Sequence, residues 1–316
     1  MACTRSIESS IKLYMVFSCF FGMCPFSINS AEKFNLKFSR LKFIYGIVLT
    51  IFMVAAEGYY YYDSESNYYS YNTTYGRFNT ILHPGLELAI FLSFLLFSKA
   101  IVKIINQIFN HAALIKNKNF IRNFFWIVLI EIWVLEILII ASITGSGIYE
   151  HNLNPSFMTV LKELFVYFVS NAAAVINLWQ CNLLILLKEI FAGLNNDLEE
   201  IQPELEFVPQ GKYKLLKERR SESWVVDKKK ENIHLLSLIV TYNNLIDVSV
   251  GLNKCFNVSA MAITLITILE LVTSFIEVIR IPERLGLLLI WILFVILLEY
   301  FILFSCELVS SEVSIY

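Results

Sequence analysis

The stretch Lys230–Arg280, KENIHLLSLIVTYNNLIDVSVGLNKCFNVSAMAITLITILELVTSFIEVIR, decides the fold. It starts with charged residues and passes into a long apolar run without a single Pro; Gly251 is the only interior helix breaker. About 20 apolar residues span a bilayer core. A helical pattern this long therefore predicts a helix that crosses a membrane and projects well below it. The rest of the chain agrees. Hydrophobic residues make up 57% and charged residues 16% of the 316 positions, where soluble domains carry about 25% charge. The apolar runs are too long for strands and too uniform for amphipathic surface helices. The reading is all-α: a polytopic transmembrane helical bundle. A net charge of −2 gives no argument for a nucleic-acid partner.

Working outward from that stretch, six spans are expected. They are Phe43–Tyr62, Ile81–Phe97 (interrupted early by Pro84), Phe124–Ile148, Val160–Leu187, Phe256–Ile279 and Leu285–Ser305. A membrane helix tolerates such a proline better than a soluble one. Ahead of them, Leu13–Phe26 is too short to span and lacks a small-x-small cleavage site. It reads as a re-entrant or interfacial helix. The expected organisation is then a cytoplasmic N-terminal segment at 1–42 and spans one to four within 43–187. A long cytoplasmic loop at 188–241 follows, then an anchor helix with spans five and six at 242–305, and a truncated cytoplasmic C-terminus at 306–316. Within the loop, the acidic stretch Asp197–Glu206 is expected to end a helix at Pro203.

Lysine and arginine placement sets the orientation. The N-terminal segment carries Arg5, Lys12, Lys33, Lys37, Arg40 and Lys42, and the loop after span two carries Lys99, Lys103, Lys116, Lys118 and Arg122. The segments on the other side hold Arg77 after span one and no basic residue at Tyr149–Thr159; the short Arg280–Arg284 hairpin, with two, is the exception. The N-terminus is expected in the cytoplasm of a multi-pass plasma-membrane protein. All six cysteines fall in cytoplasmic segments or inner half-spans, so no exterior disulfide framework is expected. The sequon at Asn72 lies in the first exterior loop and is a glycosylation candidate, whereas Asn154-Pro155-Ser156 is excluded by its proline.

Chemistry-bearing residues are sparse. Eight glutamates lie in or beside spans: Glu57, Glu87, Glu131, Glu136, Glu163, Glu270, Glu277 and Glu299. Mid-bilayer charges cost at least ~2.5–3.5 kcal/mol and so face protein or water. They suit either a cation-attracting vestibule or ligand cavity, or plain interhelical hydrogen bonding. The four histidines form no H-E-x-x-H or other metal pattern, and no G-x-S-x-G elbow or phosphate-cradling loop occurs. No catalytic residue, metal site or cofactor is expected.

Three stretches carry a resemblance: KLYMVFSCFFGMCPF (Lys12–Phe26), YNNLIDVSVGLNKCF (Tyr242–Phe256) and CELVSSE (Cys306–Glu312). In order, and with the hydropathy profile, they resemble the insect gustatory receptors, relatives of the insect odorant receptors. The resemblance implies a ligand-gated non-selective cation channel for a small-molecule tastant, assembled in the bilayer as a homo- or hetero-tetramer. It also implies that the stretch from Tyr242 to Phe256 anchors subunits to one another. The ligand cavity is implied among outer half-spans, which points to His83 and Glu87, Tyr167 and Asn171, Thr273 and Glu277, and Trp291. One departure stands out: the family's seventh span, with T-Y, five apolar residues and Q-F, has no counterpart here, because Thr241-Tyr242 is followed by Asn243 and Asn244. That keeps open an accessory or truncated subunit without its own pore. A G-protein-coupled receptor and a membrane enzyme are the less favoured classes, and nothing separates sugar from bitter ligands.

Overall fold

The computed structural model describes residues 2–28, 35–67, 74–151, 157–206, 222–280 and 285–313. Seven helices carry the architecture: α1 Ala2–Phe20, α2 Arg40–Asn67, α3 Thr74–His111, α4 Lys118–His151, α5 Phe157–Glu206, α6 Glu222–Arg280 and α7 Leu285–Val313. Each of the six expected spans lies within one of the helices α2 to α7. Among the described residues, four stretches are long and apolar enough to cross a membrane: Gly85–Leu114, Lys118–Ile140, Tyr167–Glu200 and Ile233–Leu269.

The axis of the bundle is α5. Of the most apolar 18-residue window within Tyr167–Glu200, 89% is buried, against 28% for the corresponding window of Lys118–Ile140 in α4. It packs against α3, α4, α6 and α7 at once, while α3 and α6 share the broadest helix–helix interface. The pattern on α4 shows why this is a membrane bundle rather than a soluble one. Ile121, Phe124, Val128, Ile132, Leu135 and Ile139 form its buried face; Trp126, Ile130, Trp133, Ile137 and Ile140 form the opposite, exposed face. Both faces are apolar. A helix that is hydrophobic all round needs an apolar environment on both sides. Lipid supplies the one that the bundle does not.

The opening stretch behaves as its composition demands. Helix α6 runs unbroken for 59 residues, about 88 Å at 1.5 Å per residue, through Gly251. A Cβ at that glycine would meet Ile104 at an ordinary 3.4 Å, so the position is packed against α3 without a close approach. A hydrocarbon core of ~30 Å holds barely a third of such a helix. Tyr242, in the lower part, donates to the carbonyl of Val313 at 3.1 Å and sets its ring edge-on to Phe191 at 5.4 Å. Asn195 of α5 donates to the carbonyl of Glu312 at 3.0 Å. The feet of α5, α6 and α7 are thereby tied together.

Three features depart from the sequence-based expectations. First, most of the segment 188–241 is helix rather than loop: α5 continues to Glu206 and α6 begins at Glu222. Ile190, Phe191 and Leu194 are fully buried, so helical spacing of apolar residues continues the buried face of α5 beyond Leu187. Second, α5 does not end at Pro203. It continues three residues further; the carbonyl that loses its donor to the proline belongs to Glu199, an exposed residue, where water can replace the missing N–H. Third, the fold is not purely helical. Phe26–Ile28 and Leu36–Phe38 pair antiparallel as β1 and β2, and Asn106 of α3 brackets the second strand, accepting from the Leu36 amide at 2.8 Å and donating to its carbonyl at 2.9 Å.

The turn that leads into the hairpin is a Schellman motif. Gly22 lies at φ +74°, its amide donates to the Cys19 carbonyl at 3.1 Å, and the Met23 amide donates to the Ser18 carbonyl at 2.9 Å. Glycine is the residue that reaches this left-handed position without a Cβ penalty. The turn also sits hard against α2, where a Cβ on Gly46 would fall 2.6 Å from the Gly22 carbonyl oxygen. Helix α1 itself is seated in the bundle: Ile7, Ile11, Tyr14 and Met15 are buried. Tyr14 donates to the Val175 carbonyl, and the Trp179 indole N–H donates to Ser18 Oγ at 3.0 Å.

Candidate functional site

Polar side chains are concentrated where α4 meets α5. Tyr167 donates its hydroxyl to Glu136 Oε2 at 2.7 Å. Eleven residues beyond Asn171 on α5, Asn182 donates to Glu131 Oε2 at 2.9 Å and to the Leu178 carbonyl at 3.0 Å. At about 100° per residue, Asn171 and Asn182 project within about 20° of each other. Glu131 and Glu136 are five apart and do not share a helix face, yet each finds an α5 partner. The two contacts lie on opposite stretches of an antiparallel pair: the later α4 residue meets the earlier α5 residue. Carboxylates at membrane depth that accept hydrogen bonds from neutral donors are satisfied without an opposite charge.

Asn171 stands between these two links. It is fully buried, and its amide N–H donates to the Tyr167 carbonyl at 3.0 Å one turn back, while Oδ1 has no partner among the described residues. A buried acceptor left unpaired costs about 1–3 kcal/mol. It is therefore a position where a donor from a ligand or an ordered water gains most. Tyr167 also belongs to an aromatic cluster with Phe21 (ring centroids 6.1 Å apart) and Phe168 (6.0 Å), and Phe20 stacks on Phe168 at 5.4 Å. Flat apolar walls beside a few convergent polar atoms are the usual make-up of a small-molecule site.

Of the seven positions expected to line a cavity, Tyr167 and Asn171 are brought together on one face of α5. Glu87 is buried in α3, at 7% exposure. His83 is on α3, Thr273 and Glu277 on α6, and Trp291 on α7; their side chains lie outside the described residues, as does Asn72 altogether. Two participants escaped the sequence reading. Glu136 was one of eight interchangeable membrane glutamates, and only the antiparallel register of α4 and α5 singles it out. Phe21 belongs to the N-terminal segment, and a hydropathy profile has no way of placing that segment beside α5. Two further α5 amides, Asn177 and Gln180, are buried with unpartnered atoms, about 120° and 180° around the helix from Asn171, so they are not part of the same seam. Among the described residues, Cys19, Cys24, Cys181, Cys255 and Cys306 form no disulfide, and no cluster of metal-binding side chains occurs.

A bundle of long apolar helices around a buried polar seam defines a multi-pass helical membrane protein. Comparison with known families narrows the class: the family described as 7tm chemosensory receptor matches residues 11–314. The chain belongs to that chemosensory receptor family, which is not a family of enzymes. Among curated proteins, nothing matches the chain. The three stretches that carried the resemblance to gustatory receptors converge on α5: Tyr14 and Ser18 from the first, Tyr242 from the second, and Glu312 at the end of the third.

Proposed function

We propose that this chemosensory receptor is a gustatory receptor: a subunit of a tetrameric, ligand-gated, non-selective cation channel in the plasma membrane. Its N-terminus is cytoplasmic and its ligand is a small tastant. The observation that carries the reading is the seam at Glu136, Tyr167 and Asn171. It offers a buried unpartnered amide oxygen beside an aromatic cluster, in a chain whose family detects chemicals. The seam would take a compact molecule with at least one hydroxyl or amine donor for Asn171 Oδ1 and an apolar face for Tyr167, Phe168 and Phe21. Glu87, His83, Thr273, Glu277 and Trp291 would complete the cavity from α3, α6 and α7. The foot where Tyr242 meets Val313 and Phe191 would transmit the change to neighbouring subunits.

The test is electrical. Cells expressing the chain, alone and with co-expressed members of its family, are screened with sugars, polyols and bitter compounds. The proposal expects a ligand-evoked cation current that needs no G protein. A current that appears only on co-expression identifies an accessory subunit, and none in either arrangement, with the protein at the surface, rejects the channel reading.

A further inference from the structure

A pocket of about 280 Å³ opens between the C-terminal turn of α1 and the start of α2, lined by Cys19, Gly22, Cys24, Leu41, Lys42 and Tyr45. It is separate from the seam on α5 and no part of the proposed function uses it. Within it, Lys42 Nζ lies 3.3 Å from Cys19 Sγ. As a thiol, Cys19 can also donate to the Cys24 carbonyl oxygen, at a long 3.8 Å. The shorter contact, with an ammonium group, wins. It favours the thiolate, since a cation beside a sulfur stabilises its charged form. The Cys24 thiol and then Lys42 hold Cys19 well below the ordinary thiol range, against the opposing effect of burial. Cys24, itself 2% exposed, is held as the neutral partner. Among the described residues, Tyr45 is the remaining titratable group lining the pocket, and it donates to the Phe20 carbonyl at 3.2 Å. No carboxylate among the described residues lines the pocket to neutralise Lys42.

The surroundings select the reagent. Leu41 and Tyr45, which line the pocket, are 81% and 48% exposed, and Phe20, whose carbonyl accepts from Tyr45, is 57% exposed, so the rim is an apolar surface that collects apolar molecules. Anchored nucleophile, adjacent cation and greasy rim together suit a soft carbonyl electrophile. We infer that Cys19 is a site of covalent capture for α,β-unsaturated carbonyl compounds, with Lys42 as the group that activates it. Sulfur adds to the β-carbon, forming the C–S bond. The alkene electron pair moves onto the carbonyl oxygen as an enolate, and the Lys42 ammonium stabilises that oxygen and protonates the α-carbon. Water then returns a proton to Lys42. The product is a thioether in which the thiolate charge is gone and the ion pair linking α1 to α2 is broken.

The test is chemical and does not depend on any tastant or current, so it can fail while the receptor reading stands. The full chain in lipid nanodiscs is exposed briefly to N-ethylmaleimide, itself an α,β-unsaturated carbonyl, and labelling is mapped by peptide mass spectrometry. Cys306, an exposed thiol on α7, is the internal reference. Cys19 is expected to react at least about tenfold faster than Cys306 at pH 7, and to gain little between pH 7 and 8, where an ordinary thiol gains nearly tenfold. Lys42→Gln should slow Cys19 several-fold at pH 7 and restore the steep pH dependence, whereas Lys42→Arg should not. Labelling of Cys19 at the Cys306 rate and slope, or a Lys42→Gln protein that reacts as the parent does, overturns the inference. Should Lys42→Gln fail to fold, the pH profile of the unaltered protein decides alone.

Discussion

At the scale of single residues, the fold depends on a few contacts that no composition could announce. Trp179 is fully buried and links α5 to α1 through its indole N–H on Ser18 and its ring against Tyr14, 4.7 Å away. Trp179→Ala should cost about 3–5 kcal/mol as a core aromatic truncation, read as a drop in the detergent-solubilised melting temperature. Gly46 is the counterpart on α2. A methyl there meets the Gly22 carbonyl oxygen, a backbone atom that cannot rotate away, so Gly46→Ala should destabilise by about 1–3 kcal/mol. The same thermal assay serves, and an unchanged melting temperature would show that the α1 turn does not rest on α2. Tyr167→Phe removes the donor to Glu136 while keeping the ring. It should leave surface expression unaltered, because interhelical hydrogen bonds in membranes average about 0.6 kcal/mol, yet weaken the response to ligand. These roles were only partly legible in the sequence. Tyr167 and Asn171 could be named because the resemblance to gustatory receptors points to outer half-spans; Glu136 could not, since its distinction from Glu131 arises from which α5 side chain the packing brings opposite.

At the scale of elements, hydropathy was a sufficient guide to where helices lie and an insufficient one to where they end. A span is marked by its apolar run, and each of the six runs falls in one helix. Beyond the run the signal becomes amphipathic, and the mixed charges of 188–241 concealed that Ile190, Phe191 and Leu194 continue the buried stripe of α5. The hairpin of β1 and β2 was hidden for a different reason. Three-residue strands have no periodicity to detect, and what fixes them is Asn106, seventy residues away on α3. The close contact of α5 with the turn after α3 is likewise invisible locally: a Cβ on Gly193 would overlap the Leu114 carbonyl. At this scale the prediction concerns the foot. Tyr242→Phe loses the hydrogen bond to the Val313 carbonyl and Asn195→Leu loses the one to the Glu312 carbonyl. Together they should increase hydrogen exchange in the last two turns of α7, measured by mass spectrometry, and leave exchange in α1 as it was. Unchanged protection in α7 would mean that the foot is held by apolar packing alone.

At the scale of the molecule, the chain is a membrane bundle whose central helix gathers every stretch that resembles a gustatory receptor. Its outward-facing apolar stripes, as on α4, need lipid. The orientation proposed for it is testable by epitope access. A tag placed before Met1 should be reached by antibody only after permeabilisation, while Asn72→Gln should abolish glycosidase-sensitive mass if the first loop is exterior. A tag accessible on intact cells would reverse the orientation and revive the G-protein-coupled alternative. The central claim is that ligand is read at the α4–α5 seam, and a concentration–response curve tests it most directly. Once an activating tastant is found, it is applied to the parent protein and to Asn171→Leu at matched surface density. Loss of the unpartnered Oδ1 acceptor should raise the half-maximal concentration about tenfold or more, the equivalent of ~1.4 kcal/mol, with the response to a saturating dose retained. An unshifted curve would contradict the account and place the ligand elsewhere in the bundle.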